Sequence, residues 1–475
     1  MDDEAQTAWT DAGQPGLARR LGLATATAMV VGEVIGVGIF LTPAEMARTL
    51  GSPAWLIGVW LVMGASALGG ALAFGGLAAR YPEAGGIYIY LREAYGPRVG
   101  FLYGWVSMLV TDPGLTAFLG AGMAAYVAHL VPLPGWGLKA VAVAAIVAMA
   151  AVNMLGASIG SGVLRILAGL KIGLLAFLAV WGFASGRGDW SNLEPFWSQR
   201  PGSAAPLPAI GMGLILAFIS LAGWWDASRI SGEVRDPERT MPRAFLLGLS
   251  IVTALYIGVS LAFLYLVSPA NLSANPNDEA FAAMAGQSLF GRRGEMAFAA
   301  VVVISVAGSL AAVLMAFPRV YYAMARDGLF FASYAAVDPG RGAPVRATIV
   351  QAVLGSALVL LLDSPARIIA YFMVPTLAFL VPAVAAVFVL RRRSARRGEP
   401  GIVVPGYPVA PLAFLIPVTL VIVLQAAREP GTAAFGAGLV AAGLPASLLV
   451  PALRRRMDSE QNQSSEPGSD LPGEI

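Results

Sequence analysis

The chain has 475 residues, 57% hydrophobic and only 12% charged, with a mean hydropathy of +0.72 and a formal net charge of +3. Such a chain cannot cover itself with polar surface, so it is an integral membrane protein; its basic residues are dispersed through loops and form no patch that would grip nucleic acid. It has no cysteine, which excludes disulfides, thiol catalysis, cysteine-ligated metal and any partner held through a disulfide.

Residues 1–20 are polar, and Arg19-Arg20 abut the first apolar run. They read as a cytoplasmic tail with anchoring charge, because the apolar run behind them is too long for a cleaved export signal. At about 20 residues per spanning helix, the apolar segments allow about twelve spans. These are placed at 21–47, 54–79, 97–128, 136–155, 163–185, 207–232, 243–268, 294–322, 346–363, 366–390, 409–427 and 432–453.

The first span is poorly written as a helix. Gly32, Gly36 and Gly38 fall within seven residues, and Glu33 sits in the middle of the run. Each glycine weakens a helix by about 1 kcal/mol against alanine. A charge at mid-bilayer costs about 2.5–3.5 kcal/mol on insertion scales. Both are tolerated where the chain faces a protein interior or a cavity, which predicts a discontinuous helix at a binding site. A close-packing seam through Gly32 and Gly36 is the other reading.

Beyond the second span, Tyr88–Tyr95 follows Gly85-Gly86 and reads as a half-buried interfacial helix. Asp112, before Pro113-Gly114, is an intramembrane acid to which no role is assigned. His129, the one histidine, ends the third span and reads as incidental rather than catalytic. Lys171 is the only lysine deep within a span, and either serves an interior site or snorkels to an interface.

The sixth span repeats the anomaly of the first, with Gly211, Gly213 and then Ala222-Gly223-Trp224-Trp225-Asp226. Interrupted spans at positions one and six are the signature of an inverted five-plus-five repeat, because five is odd and reverses the second half. The chain then divides into a tail 1–20, a first repeat 21–185, a second repeat 207–390, two additional helices within 409–453 and a disordered tail 457–475. Residues 269–293 form the longest outside connection, with a helix start at Asn271-Leu272-Ser273. On this topology 22 basic residues face the cytoplasm and 8 face out, leaving Lys171 in the membrane, so both termini are cytoplasmic.

Six motifs recur in order along this frame. The first is Gly32-Glu33-Val34-Ile35-Gly36-Val37-Gly38-Ile39-Phe40. Tyr81-Pro82-Glu83-Ala84-Gly85-Gly86-Ile87-Tyr88 leads into Leu91-Arg92-Glu93-Ala94-Tyr95-Gly96, and Phe101-Leu102-Tyr103-Gly104-Trp105 follows. Gly232-Glu233-Val234-Arg235-Asp236-Pro237-Glu238-Arg239 precedes Met241-Pro242-Arg243-Ala244. Pro318-Arg319-Val320-Tyr321-Tyr322-Ala323-Met324-Ala325-Arg326-Asp327-Gly328 and Pro405-Gly406-Tyr407-Pro408 complete the set. From Leu23 to Glu429 the chain resembles the amino acid–polyamine–organocation superfamily, and most of all its L-type amino acid transporter branch.

The resemblance implies an all-α, leucine-transporter-like fold of about twelve helices, with helices one and six broken around a substrate. It places substrate binding on Gly32, Glu33, Val34, Ile35, Gly36, Val37 and Gly38, and on Phe218, Ile219, Ser220, Ala222, Gly223, Trp224 and Asp226. Amides around Val37, Gly38 and Ile39 sit at a positive helix end suited to a carboxylate. Carbonyls near Val34 and from Ile219 to Ala222 are open to an ammonium. In sodium-independent relatives a fifth-span lysine stands where cousins bind sodium, which puts Lys171 there with Ser305 and Ser309 nearby. Its titration would couple transport to protons.

Four positions depart from the family pattern. Val37 replaces a serine, Ile219 stands where an aromatic lid is usual (with Phe218 adjacent), Glu33 replaces a small polar residue, and Phe74-Gly75-Gly76-Leu77 lacks an acid. Glu33 and Asp226 point to cationic amino acids or amines, unless each pairs internally, Asp226 with Arg229 and Glu33 with an unidentified donor.

The expected function is sodium-independent secondary transport of amino acids by alternating access, proton-coupled or exchanging. A polyamine or amine transporter of the same fold, or a non-transporting sensor or scaffold, are the alternatives. A membrane enzyme lacks support, since the chain has no phosphate loop, no metal-ligand cluster and one peripheral histidine, and no cofactor is expected. The major facilitator fold has parallel halves that do not predict breaks at spans one and six. Arginine-rich, lysine-poor composition suggests a GC-rich bacterial genome and the plasma membrane. The expected partners are a small-molecule substrate, an amino acid or amine, and the lipid bilayer, with no disulfide-linked heavy chain.

Overall fold

The first apolar run folds as two helices, α1 (Leu23–Val34) and α2 (Gly38–Leu50). Helix α1 stops because Ile35 leaves helical geometry, at φ −75° and ψ 77°. The computed structural model describes residues 17–465 except 37, 269–285, 287, 339–340, 363–364 and 429. Val37 and most of the outside connection expected to open at Asn271 therefore lie outside the described residues.

The next helices are α3 (Pro53–Arg80), α4 (Ile87–Tyr95) and α5 (Pro97–Val106). Ser52 caps α3 by accepting the Trp55 amide, with Pro53 behind it at the first helical position. Gly86 enters α4 at φ +54°, and a Cβ there would fall 2.3 Å from Ser228 Oγ, so only glycine fits. Most of α4, from Ile87 to Leu91 and again at Ala94, is buried, deeper than a half-buried interfacial helix.

The third span is one path in three parts: α5, a π-helical turn at Ser107–Thr111, and α6 (Asp112–Leu130). Then come α7 (Gly135–Met154), α8 (Ala157–Ala184) and α9 (Pro206–Leu221). Helix α9 gives way at Ala222 and Gly223 to a 3₁₀ segment, Trp224–Glu233. The remainder is α10 (Pro237–Leu266), α11 (Arg292–Ala316), α12 (Pro318–Arg326), α13 (Val345–Leu361), α14 (Pro365–Arg397), α15 (Val409–Arg428) and α16 (Pro430–Ser465). Helix α16 runs to Ser465, past the Met457 boundary at which disorder was expected.

Among the described residues the fold is all-helical, with one isolated parallel bridge between Leu21 and Val234. Nine helical stretches are long and apolar enough to cross a membrane, and three shorter apolar ones lie at Leu23–Val34, Val345–Leu361 and Ala434–Leu449. The short ones coincide with expected spans one, nine and twelve. Helices α7, α8 and α15 expose apolar faces, through residues such as Val147, Ile166, Val180 and Ile416, as lipid contact requires. Helix α1 is enclosed by α8, α10, α11 and the 3₁₀ segment, which puts both interruptions at the centre.

Candidate functional site

The two interruptions touch. A Cβ on Gly38 would lie 3.0 Å from Ser220 Cα, and Ser220 Oγ is 2.6 Å from Thr42 Oγ1. On the other side Gly223, at φ +99°, comes so close to α1 that a Cβ would sit 3.2 Å from the Glu33 carbonyl oxygen. Glycines at 38 and 223 thus permit the close approach of the two breaks.

Lys171 reaches into this junction. It is 1% exposed, and its Nζ donates to Gly32 O at 2.9 Å, Ile35 O at 2.7 Å and Ser309 Oγ at 2.8 Å. An ammonium has three protons, so these acceptors saturate it. Ser309 Oγ also donates to Ile35 O at 3.0 Å, and Ser305 Oγ approaches the same oxygen at 3.4 Å. Lys171, Ser305 and Ser309 therefore converge on the end of α1, and the snorkelling alternative fails because the chain runs inward. Gly308 makes the room: a Cβ there would stand 2.7 Å from Lys171 Cε.

The carbonyl of Val34 is not open as expected. It accepts Tyr256 Oη at 2.9 Å and the Gly36 amide at 2.8 Å, so an incoming ammonium would have to displace them. Sequence reasoning missed this because the donor lies on α10, far along the chain.

A second charged group lies beneath, built on the 3₁₀ segment. Arg229 Nη1 donates to Asp112 Oδ2 at 2.8 Å and Nη2 to Tyr103 Oη at 3.0 Å. Its Nε lies 2.7 Å from Asp226 Oδ1, close but poorly aligned for a hydrogen bond, so that contact is chiefly charge on charge. The guanidinium also stacks over Phe317 at 4.4 Å. Asp226 is thus paired internally with Arg229, and Asp112, left without a role by the sequence, is the other half of the counter-charge. The π-turn presents it: Ser107 Oγ donates to Asp112 at 2.7 Å and Thr111 Oγ1 at 3.2 Å. Tyr321 Oη stands 3.0 Å from the same carboxylate and 2.5 Å from Gln351 Oε1.

The aromatic residues of the second break serve packing. Phe218 stacks on Trp225 at 6.2 Å, while Trp224 meets Phe74, Phe245 and Phe414 edge-on. Phe74, in the stretch that lacks an acid, thus packs among these rings. Ile219 is half-buried and Ala222 is extended at φ −72°, ψ 163°. Glu33 differs from its neighbours: it is 8% exposed, and among the described residues neither carboxylate oxygen has a hydrogen-bond partner.

One end of the molecule is closed over this junction. Arg20 and Leu21 amides donate to Glu233 O, and the Arg235 amide donates to Leu21 O. Glu233 holds buried Arg319 through two bonds, at 2.7 and 3.2 Å. Arg92 and Tyr88 both bond Asp327, joining α4 to the end of α12. Burial, and then the Asp327 charge, push the Tyr88 hydroxyl well above its ordinary range, so it stays a donor. Among the described residues no three carboxylates or histidines converge as metal ligands, and the side chain of His129 lies outside what is described.

A family profile described as amino acid permease matches residues 21–439. The chain is 30% identical over 404 residues to a serine/threonine exchanger of Bacillus subtilis (strain 168), across 84% of this chain and 89% of that one. It is 26% identical over 458 residues to human large neutral amino acids transporter small subunit 2, across 94% and 83%. Over 278 residues it is 29% identical to mouse b(0,+)-type amino acid transporter 1, across 57% and 56%.

Proposed function

Because the chain belongs to the amino acid permease family, within the L-type branch of the amino acid–polyamine–organocation superfamily, we propose that it is a secondary transporter moving amino acids by alternating access without sodium. Its relatives are named as carriers of serine, threonine and large neutral amino acids, and an amino acid is the substrate class we assign. The architecture we propose is an inverted repeat of 21–185 and 207–390, set in the plasma membrane with both termini in the cytoplasm. With Arg229 and Arg319 set aside as buried in ion pairs, the excess of 20 basic residues over 8 supports that orientation.

The observation that carries this reading is the Lys171 ammonium on Gly32 O and Ile35 O. An interrupted helix leaves carbonyls without partners, and in a dry interior they require a cation. Here a protonated side chain supplies that charge, so no bound metal ion is needed to hold α1 against α8 and α11. Loss of one proton from that ammonium breaks this clamp, and motion of α1 follows the proton. The amides of Gly38 and Ile39, in the first turn of α2 where a helix supplies them no acceptor, suit the substrate carboxylate.

The test is uptake into proteoliposomes, wild type beside Lys171→Ala. Labelled neutral, cationic and anionic amino acids are offered with and without a pH gradient and sodium. Sodium-indifferent uptake in the wild type, uncoupled from the gradient by Lys171→Ala, is the expected result. Sodium dependence would overturn the coupling assignment, and binding without flux would make the protein a sensor.

A further inference from the structure

Among the described residues, the buried charges are Glu33, Asp112, Asp226 and Glu233 against Lys171, Arg229 and Arg319. Arg319 is taken by Glu233, and Arg229 is shared between Asp112 and Asp226. Lys171 spends its three protons on Gly32 O, Ile35 O and Ser309 Oγ. Neither remaining cation bonds Glu33, although Asp226, Arg229, Lys171 and Asp112 all act on it electrostatically. The acid sits on the last turn of α1, and a Cβ on Gly223 would stand 3.5 Å from Glu33 Cβ, so it lies where the two breaks meet.

We propose that Glu33 is the anionic contact for a protonated amine of the substrate. The proposal rests on the transport reading above and deepens it. A buried carboxylate with no donor is costly, and a ligand that brings the donor recovers that cost as binding. The acceptors otherwise suited to an ammonium at the end of α1 are already engaged, by Tyr256 on Val34 O and by Lys171 and Ser309 on Ile35 O. The site is therefore selective for amines through one carboxylate rather than through backbone carbonyls alone. The amine is either the α-ammonium, present on every amino acid, or a cationic side chain, present on basic ones.

The experiment measures uptake and ligand-induced thermal shift on the full chain, for wild type, Glu33→Gln and Glu33→Asp. The ligands are leucine, lysine and the diamine putrescine. Expected is a fall in affinity of about tenfold or more in Glu33→Gln, the size of a lost charged hydrogen bond. A fall that includes leucine assigns the α-ammonium, and a fall for lysine or putrescine without leucine assigns the side chain; both support the proposal. Unchanged affinities in Glu33→Gln overturn it, whether or not the response to the pH gradient is lost. Should Glu33→Gln not fold, Glu33→Asp, which keeps the charge on a shorter stem, must weaken the same ligands. Wild-type binding without flux removes the transport reading and leaves this test intact, whereas no wild-type binding of any amine overturns both.

Discussion

Gly308 decides where Lys171 can sit. Alanine at 308 would favour the helix by up to about 1 kcal/mol, yet its Cβ would lie 2.7 Å from Lys171 Cε and 3.0 Å from Leu167 Cβ. The lysine must then shift from its three acceptors. Gly308→Ala is expected to uncouple uptake from the pH gradient, as is expected of Lys171→Ala, while destabilising the fold by about 1–3 kcal/mol through overpacking; uptake and thermal unfolding in detergent check both. Arg229 makes a different prediction. Arg229→Met strands Asp112 and Asp226 as buried, unpaired acids, and breaking such a pair costs about 3–5 kcal/mol. A marked drop in unfolding temperature should follow, and Arg229→Lys should restore only part of it, since an ammonium cannot span the two carboxylates and Tyr103 with a fixed fork. At this scale the sequence is informative where a residue type is out of place, as with Lys171 among leucines or Glu33 among valines. It is silent on partners. The Asp112–Arg229 pair joins positions 117 apart, and nothing local to either predicts the other.

Elements were legible where a break is chemical. Proline opens α3, α5, α9, α10, α12, α14 and α16, and the starts read from the sequence fall within two residues of it for α3, α5, α9, α14 and α16, while Pro318 divides the single span expected at 294–322. The glycines and Glu33 marked the interruption of the first run, and Gly223 that of the sixth. The π-turn at Ser107–Thr111 was not legible, because a single extra residue in a helix leaves no periodic trace in a uniformly apolar span. It has a testable role. Deleting Met108 should convert the turn to regular α-helix and rotate Asp112 by about 100° away from Arg229. Loss of uptake with a lower unfolding temperature is expected, while an equal deletion that leaves both unchanged would deny the turn that role. The C-terminal end misled for another reason. Residues 457–465 are polar and read as solvated, yet they continue a helix already nucleated by the apolar stem of α16, where each added residue needs no new nucleus.

At the scale of the molecule, composition alone fixed the class: 57% hydrophobic residues leave no soluble alternative. The orientation we propose follows from charge asymmetry and can be read chemically, because the chain has no cysteine to interfere. Ala395→Cys, exposed near the end of α14, should react with an impermeant thiol reagent only from the cytoplasmic side, and Ser198→Cys, exposed between α8 and α9, only from outside. Reaction of both from one side would invert or break the proposed repeat. The closed end has its own consequence. Its clasp is made of main chain: amides of Arg20, Leu21 and Arg235 on the carbonyls of Glu233 and Leu21, at 2.8–2.9 Å. No substitution other than proline removes the donors of such bonds. Those three protons exchange with deuterated water only while the clasp is undone. They are a clock inside the protein, and their exchange rate counts how often this end swings open, with substrate, with a shift in pH, or with neither.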